Sequence, residues 1–155
     1  MKPYRKNVGI VVFNAEGNVL TGERIQFPGA WQFPQGGIDE GEELEFAARR
    51  ELYEEVGIKN ATLVAEHPEW INYDFPSSLQ MKHLNKFRGQ TQKWFLFYWN
   101  EPISKCNLTI HEQEFIRVRF QSIDSTLESI VPFKLEVYVN VVGKFKPIII
   151  NYNSK

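Results

Sequence analysis

Three glutamates, Glu51, Glu54 and Glu55, stand at positions i, i+3 and i+4 of the run Arg50-Glu51-Leu52-Tyr53-Glu54-Glu55. On a helix that spacing brings the three side chains together. Like charges so placed repel by about 0.2–0.5 kcal/mol per pair. A hard divalent cation reverses the sign of that interaction. Magnesium takes oxygen ligands, keeps several waters and is commonly shared between carboxylates and substrate phosphates. The plain alternative is a solvated helix laced by i,i+4 ion pairs, here Glu45/Arg49 and Arg50/Glu54.

Two features weigh against that alternative. At about 100° per residue, Glu51 points close to Leu44, Ala47 and Ala48. It therefore lies on the side that should face protein, where a bare carboxylate is costly. Gly36, Gly37 and Gly41 also precede the helix, and glycines allow tight turns and close approach of backbone to a phosphate or metal.

The elements that must hold this cluster can be read from pattern. A helix spans residues 42–56 and stops at Gly57. Residues 8–13 and 19–25 are strands joined as a hairpin through the turn 14–18. Residues 27–41, rich in Gly and Pro, read as a loop. Strands follow at 61–67 and 70–75, around Pro68, and 76–92 reads as a polar, basic loop. An apolar strand spans 93–99, another strand 115–120, and a C-terminal helix 133–142 after Pro132. This order implies one mixed α/β domain over residues 1–155.

Bulk properties agree with a folded enzyme-sized domain. The 155 residues are 43% hydrophobic and 14% aromatic, which argues against disorder. The net charge of −1 means that any anion-binding surface must be local. The single cysteine, Cys106, excludes an internal disulfide. No signal-like apolar run opens the chain, and no apolar stretch is long enough to span a bilayer. The expectation is a soluble, cytoplasmic protein without membrane contact.

The segment from Gly36 to Ile58 resembles the Nudix box, G-x5-E-x7-R-E-U-x-E-E-x-G-U, where U is a bulky aliphatic residue. The matched positions are Gly36, Glu42, Arg50, Glu51, Leu52, Glu54, Glu55, Gly57 and Ile58. The resemblance implies an α/β/α sandwich whose catalytic loop–helix–loop binds divalent metal, and water attack on a phosphoanhydride. It implies Glu51, Glu54, Glu55 and Glu114 as metal ligands, with Mg2+ as cofactor and Mn2+ as substitute. Glu51, Glu54 and Arg50 become the catalytic residues, Glu51 the candidate base, and Arg50 with Glu42 orienting partners. A backbone carbonyl near Gln35 or Gly36 completes the implied ligand set.

Segments outside the box resemble the bacterial RNA pyrophosphohydrolase and diadenosine polyphosphate hydrolase branch. They are Tyr4-Arg5-Lys6-Asn7-Val8-Gly9, Trp31-Gln32-Phe33-Pro34-Gln35-Gly36-Gly37, Gly89-Gln90-Thr91-Gln92-Lys93-Trp94-Phe95, Glu114-Phe115, and Val131 with Phe133-Lys134. Departures fall in residues 76–88, in 100–113, and in one extra residue within 27–30. This resemblance implies Arg5, Arg24 and Lys134 as triphosphate or RNA-backbone contacts and Phe133 as a base-stacking platform. Tyr73 and Val131 border the same site. The basic stretch 80–93, carrying Lys82, Lys86, Arg88 and Lys93 and no acid, suits an anionic substrate.

Three functions are thereby in view. The first is conversion of 5′-triphosphate RNA ends to monophosphate, which would promote RNA decay. The second is hydrolysis of diadenosine polyphosphates. The third is a non-catalytic nucleotide-binding regulator, against which the intact box argues. Oligomeric state is open, a homodimer included.

Overall fold

The computed structural model describes residues 2–82 and 86–155. The strands are β1 (Tyr4–Phe13), β2 (Val19–Arg24), β3 (Trp31–Gln32), β4 (Gln35–Gly37), β5 (Thr62–Glu66), β6 (Ile71–Asp74), β7 (Gly89–Tyr98) and β8 (Phe115–Gln121). The helices are α1 (Leu44–Val56), α2 (Ser77–Lys82), α3 (Thr126–Ser129) and α4 (Leu135–Asn153). The eight strands form one mixed sheet with the path β3-β2-β1-β7-β5. β4 pairs with β1, β6 with β7, and β8 with β2.

The centre of the sheet is the parallel pair β1–β7, in register from Tyr4↔Gly89 to Phe13↔Tyr98. Both strands carry apolar runs, as expected where a strand is buried on both faces. Side chains alternate between two cores. Val8, Ile10, Val12, Phe95 and Phe97 pack on the α1 side with Ala47, Ala48, Leu52 and Val56. Val11, Phe13, Trp94 and Leu96 pack on the α4 side with Val137, Tyr138, Val141, Val142, Phe145 and Ile149. The sheet is thus sandwiched between helices, the α/β/α arrangement expected from the sequence. Gly9 is required at its position because a methyl there would overlap the Trp94 ring.

Several boundaries differ from the sequence reading, each for a tertiary reason. The stretch 27–41 is not all loop. β3 and β4 lie within it, held by pairing to β2 and β1 that no local pattern announces. The stretch 76–92 contains α2 and the start of β7, whose polar residues pair with β1 and β6. Lys82's side chain and residues 83–85 of the basic stretch lie outside the described residues. β1 and β2 pair only at Phe13↔Val19, because further along β1 takes β4 as its partner instead. The C-terminal helix begins at Leu135 after a 3-10 turn, Pro132–Lys134, and runs through Pro147 to Asn153. Its buried face continues across the proline through Phe145 and Ile149, and that packing sustains it. Among the described residues no helix is long and apolar enough to cross a membrane.

Two contacts fix the elements around the glycine-rich loop, one at the far end of α1 and one at the loop's entry. Gly57 takes the left-handed conformation, φ 75°, and its N–H donates to the Tyr53 carbonyl at 2.8 Å, ending α1. On the opposite face the buried Tyr138 hydroxyl accepts the Phe33 backbone N–H at 2.8 Å, with the two rings stacked at 4.8 Å. That bond ties α4 to the segment leading into Gln35-Gly36-Gly37. Tyr138→Phe leaves a buried N–H without a partner and should cost about 1–3 kcal/mol. Urea denaturation measures it; an unchanged midpoint would mean that the hydroxyl does not anchor the loop.

Candidate active site

A cleft of about 530 Å3 opens where β1, β2, β4, α1 and the turn before α4 meet. Its wall includes Arg5, Arg24, Gln35, Gly36, Glu51, Glu54, Glu55, Tyr73, Glu114, Phe133 and Lys134. Residues far apart in the sequence therefore converge, and the geometry of each follows from a few bonds.

Arg50 is the hub. Its Nε donates to Glu42 at 2.7 Å and its Nη2 to the other Glu42 oxygen at 2.9 Å, a bidentate fork. Nη2 also donates to the Gly37 carbonyl at 2.9 Å, while Nη1 reaches Glu51 at 2.8 Å and Glu54 at 3.4 Å. One guanidinium thus fastens the glycine loop to the carboxylate face of α1. The fork holds the Glu42 carboxyl below the usual carboxylate range. The anticipated Arg50/Glu54 and Glu45/Arg49 pairs both form. The second, with both side chains 40% exposed, is a solvated pair, while the first belongs to the enclosed cluster. Arg50 itself lies behind Glu51 and Glu54 and does not line the cleft.

The carboxylates sit in unequal surroundings. Glu51 has a side chain only 13% exposed, on the protein-facing side as its helical position requires. A methyl on Gly36 would overlap its carboxyl group, so this glycine is what lets the β4 backbone pass so close. Burial raises the Glu51 pKa, opposed by Arg50. Glu55 is raised well above the ordinary range, by burial first and then by the charges of Glu51 and Glu114. The Gln35 backbone N–H, which donates to it at 3.3 Å, and Arg24 act in the opposite direction. Glu114, from the loop before β8, is 41% exposed and lies 3.9 Å from Arg24.

Among the described residues no three carboxylate, imidazole or thiol side chains stand close enough to enclose a cation by themselves. Glu51 and Glu54 are instead turned toward Arg50. The donor chemistry nevertheless fits a hard divalent cation. The carboxylates Glu51, Glu54, Glu55 and Glu114 line the cleft beside the imidazole of His111, and Glu55 is a desolvated carboxylate repelled by two others. Magnesium suits such a partial set because waters and phosphate oxygens fill its remaining positions.

The other expected residues divide. Arg5, Arg24, Tyr73 and Phe133 line the cleft, with Tyr73 and Phe133 rings 6.0 Å apart. Val131 does not. It is half-buried and packs against the α4-side core. Lys134 lines the cleft yet is only 4% exposed, its ammonium on Gln32 at 3.1 Å and Gln35 at 3.4 Å. Burial, and then Arg24, pull its pKa down to about 7, while Glu55 holds it up. Burial pushes the Tyr73 phenol up to about 12. Sequence reasoning passed over the side chains of Asn7, Gln32, Gln35 and Gln90, all on the cleft wall. Asn7 and Gln90 carry a signal as amides on the long, largely buried strands β1 and β7, where polar residues are uncommon. Gln32 and Gln35 stand on the short strands β3 and β4 and carry none.

Glu55→Gln removes a repelled, buried charge and keeps an oxygen for the Gln35 N–H. In chelator its Tm should rise by about 2–4 °C. Added millimolar magnesium should then stabilise the variant less than the original chain. Thermal melts in both buffers test this; a lower Tm in chelator would show that the carboxylates do not repel as described.

Comparison with known proteins fits this geometry. The NUDIX domain model matches residues 3–141. An RNA pyrophosphohydrolase of Wolbachia pipientis subsp. Culex pipiens is 46% identical over 151 residues, 96% of this chain and 93% of the relative. That of Rhodospirillum rubrum is 44% identical over 143 residues, 92% and 87% of the two chains. Among solved structures, the E. coli dihydroneopterin triphosphate pyrophosphohydrolase superposes with a TM-score of 0.72 at 21% identity, covering 92% of this chain and 99% of that one. A C. elegans Ap4A hydrolase superposes at 0.62 with 19% identity, covering 97% and 96%. At such identities the structures speak for the fold alone. With its box residues gathered around one arginine and its length matched almost throughout, the chain belongs to the NUDIX family.

Proposed function

We propose that this protein is a magnesium-dependent RNA 5′-pyrophosphohydrolase that converts triphosphate ends to monophosphate. The observation that carries the reading is the pairing of two unlike surfaces in one cleft. The carboxylates of α1 lie on one side, and an aromatic wall of Phe133 on Tyr73 lies on the other, with Arg5 and Arg24 also on the cleft wall. A triphosphate joined to nucleotides needs both. The relatives that are 46% and 44% identical are RNA pyrophosphohydrolases, which supports the same substrate.

In this reading Glu51, Glu54, Glu55 and Glu114 hold the cation. When bound, such an ion neutralises phosphoryl oxygens and makes a water more acidic. Glu51 takes the proton of the attacking water, and its burial makes it more basic than a solvated carboxylate, as a general base requires. The water oxygen bonds to phosphorus as the phosphoanhydride bond breaks, and pyrophosphate, or phosphate in two steps, leaves. Arg50 keeps Glu51 and Glu54 aimed from behind. Arg5 and Arg24 receive the phosphate chain. Phe133 receives a base, so paired RNA ends should be poor substrates. A reducing cytoplasm suits the one cysteine, Cys106, which is free and whose thiol burial pushes up to about 11.

Triphosphate-ended RNA and diadenosine tetraphosphate, each with magnesium and with chelator, test the reading. RNA should be converted to monophosphate ends, only with the metal, and faster than the dinucleotide. A preference for the dinucleotide would overturn the substrate assignment, and no turnover of either would leave a binding protein. Phe133→Ala should slow RNA turnover by about tenfold to a hundredfold, the worth of one stacked base. Slow hydrolysis of a free nucleoside triphosphate, which lacks the downstream base, should hardly change. Equal losses on both would make Phe133 a core residue only.

A further inference from the structure

Lys134 is a lysine in an unusual place. It is 4% exposed, and its stem leaves the turn before α4 to end between two glutamines of the opposite wall, Gln32 of β3 and Gln35 of β4. A lysine nitrogen can only donate when charged, so it turns the carbonyl oxygen of each amide toward itself. The amine form still has two N–H donors, enough for both oxygens. The same Gln35 oxygen accepts a second bond, from Gln92 at 3.0 Å. With their oxygens engaged, the two amides must present nitrogen elsewhere. Gln35 reaches the Tyr73 hydroxyl, and the Gln32 amide nitrogen has no partner among the described residues. Both glutamines line the cleft.

Resting on the function proposed above, we infer that Lys134 is a positioning residue for a wall of neutral N–H donors. The donors belong to Gln32 and Gln35, and their ligand is the phosphate oxygens of the substrate. Such a wall suits this cleft. Arg24 already stands close enough to Lys134 to act on its charge, and further cations there would compete with an ion held by the carboxylates. Amide donors bind phosphate oxygens without adding charge. The contribution of Lys134 is therefore directional, and its charge is spent inside the protein.

This differs in a measurable way from a lysine that grips phosphate directly. Removing a direct phosphate contact reduces the salt slope of binding by about one. Removing an orienting lysine should leave that slope alone. Lys134→Met keeps the stem and its burial. On triphosphate-ended RNA its KM should rise about tenfold, the worth of two neutral hydrogen bonds, with kcat within about twofold. The dependence of log(kcat/KM) on log salt should match that of the original chain. Gln32→Met with Gln35→Met should reproduce the effect, and adding Lys134→Met to that pair should change KM by less than about twofold. If Lys134→Met fails to fold, the glutamine pair carries the test, because a tenfold rise in its KM is still required. A flattened salt slope in Lys134→Met, independent multiplication of the two effects, or an unchanged KM in the glutamine pair would overturn the inference. Failure of the function itself would look different, as an original chain inactive on this RNA.

Discussion

The arrangement rests on one guanidinium. Arg50 meets Glu42 bidentately, the Gly37 carbonyl, Glu51 and Glu54, all within 3.4 Å. Several acids crowded on one helix face would splay from mutual repulsion, and a desolvated carboxylate without a partner costs several kcal/mol. Arg50 balances part of that charge from the rear and leaves the front of the cluster facing the cleft. It also welds loop to helix, so Gly36 and Glu51 keep their close approach. A planar fork with five donors can satisfy this many acceptors at once; an ammonium cannot. Glu55 lies outside Arg50's reach. Burial first, and then the charges of Glu51 and Glu114, weigh against its ionised form, which makes it the natural point of attraction for a cation.

The rest of the fold serves that contact by rigidity. The β1–β7 pair is buried on both faces, and each face holds one of the two long helices. α1 brings the acids to one side of the sheet. The turn entering α4 brings Phe133 against Tyr73 of β6, and Lys134 against the amides Gln32 of β3 and Gln35 of β4. The cleft forms where the two layers meet at the end of the sheet. Glycines permit the close contacts there, with Gly36 beneath the Glu51 carboxyl and Gly37 beneath the Arg5 guanidinium. The Tyr138–Phe33 bond links the two layers through the loop between them.

Much of the acid side was legible in the residues, because its information is local. Spacing along α1 sets which side chains converge, and Ala47 and Ala48 mark the buried side on which Glu51 falls. Gly57 marks the helix end. What was not legible depends on partners distant in sequence. β3 and β4 have two and three residues and no apolar alternation, so only their pairing with β2 and β1 makes them strands. Lys134 looks like any surface lysine until Gln32 and Gln35, about a hundred positions away, are folded against it. Val131 lies three residues from Lys134 yet is half-buried against the α4-side core and does not line the cleft. Motif resemblance located the wall but could not say which of its residues face outward.

Arg50→Lys tests the central claim most directly, since it keeps the charge and removes the fork. Turnover of triphosphate-ended RNA at saturating magnesium should fall by about a hundredfold or more, ~2.7 kcal/mol in the barrier. Circular dichroism should meanwhile report a folded chain. If the lysine variant, folded and assayed under the same conditions, works within about threefold of the original rate, the carboxylates do not depend on that fork, and the account given for their placement is wrong.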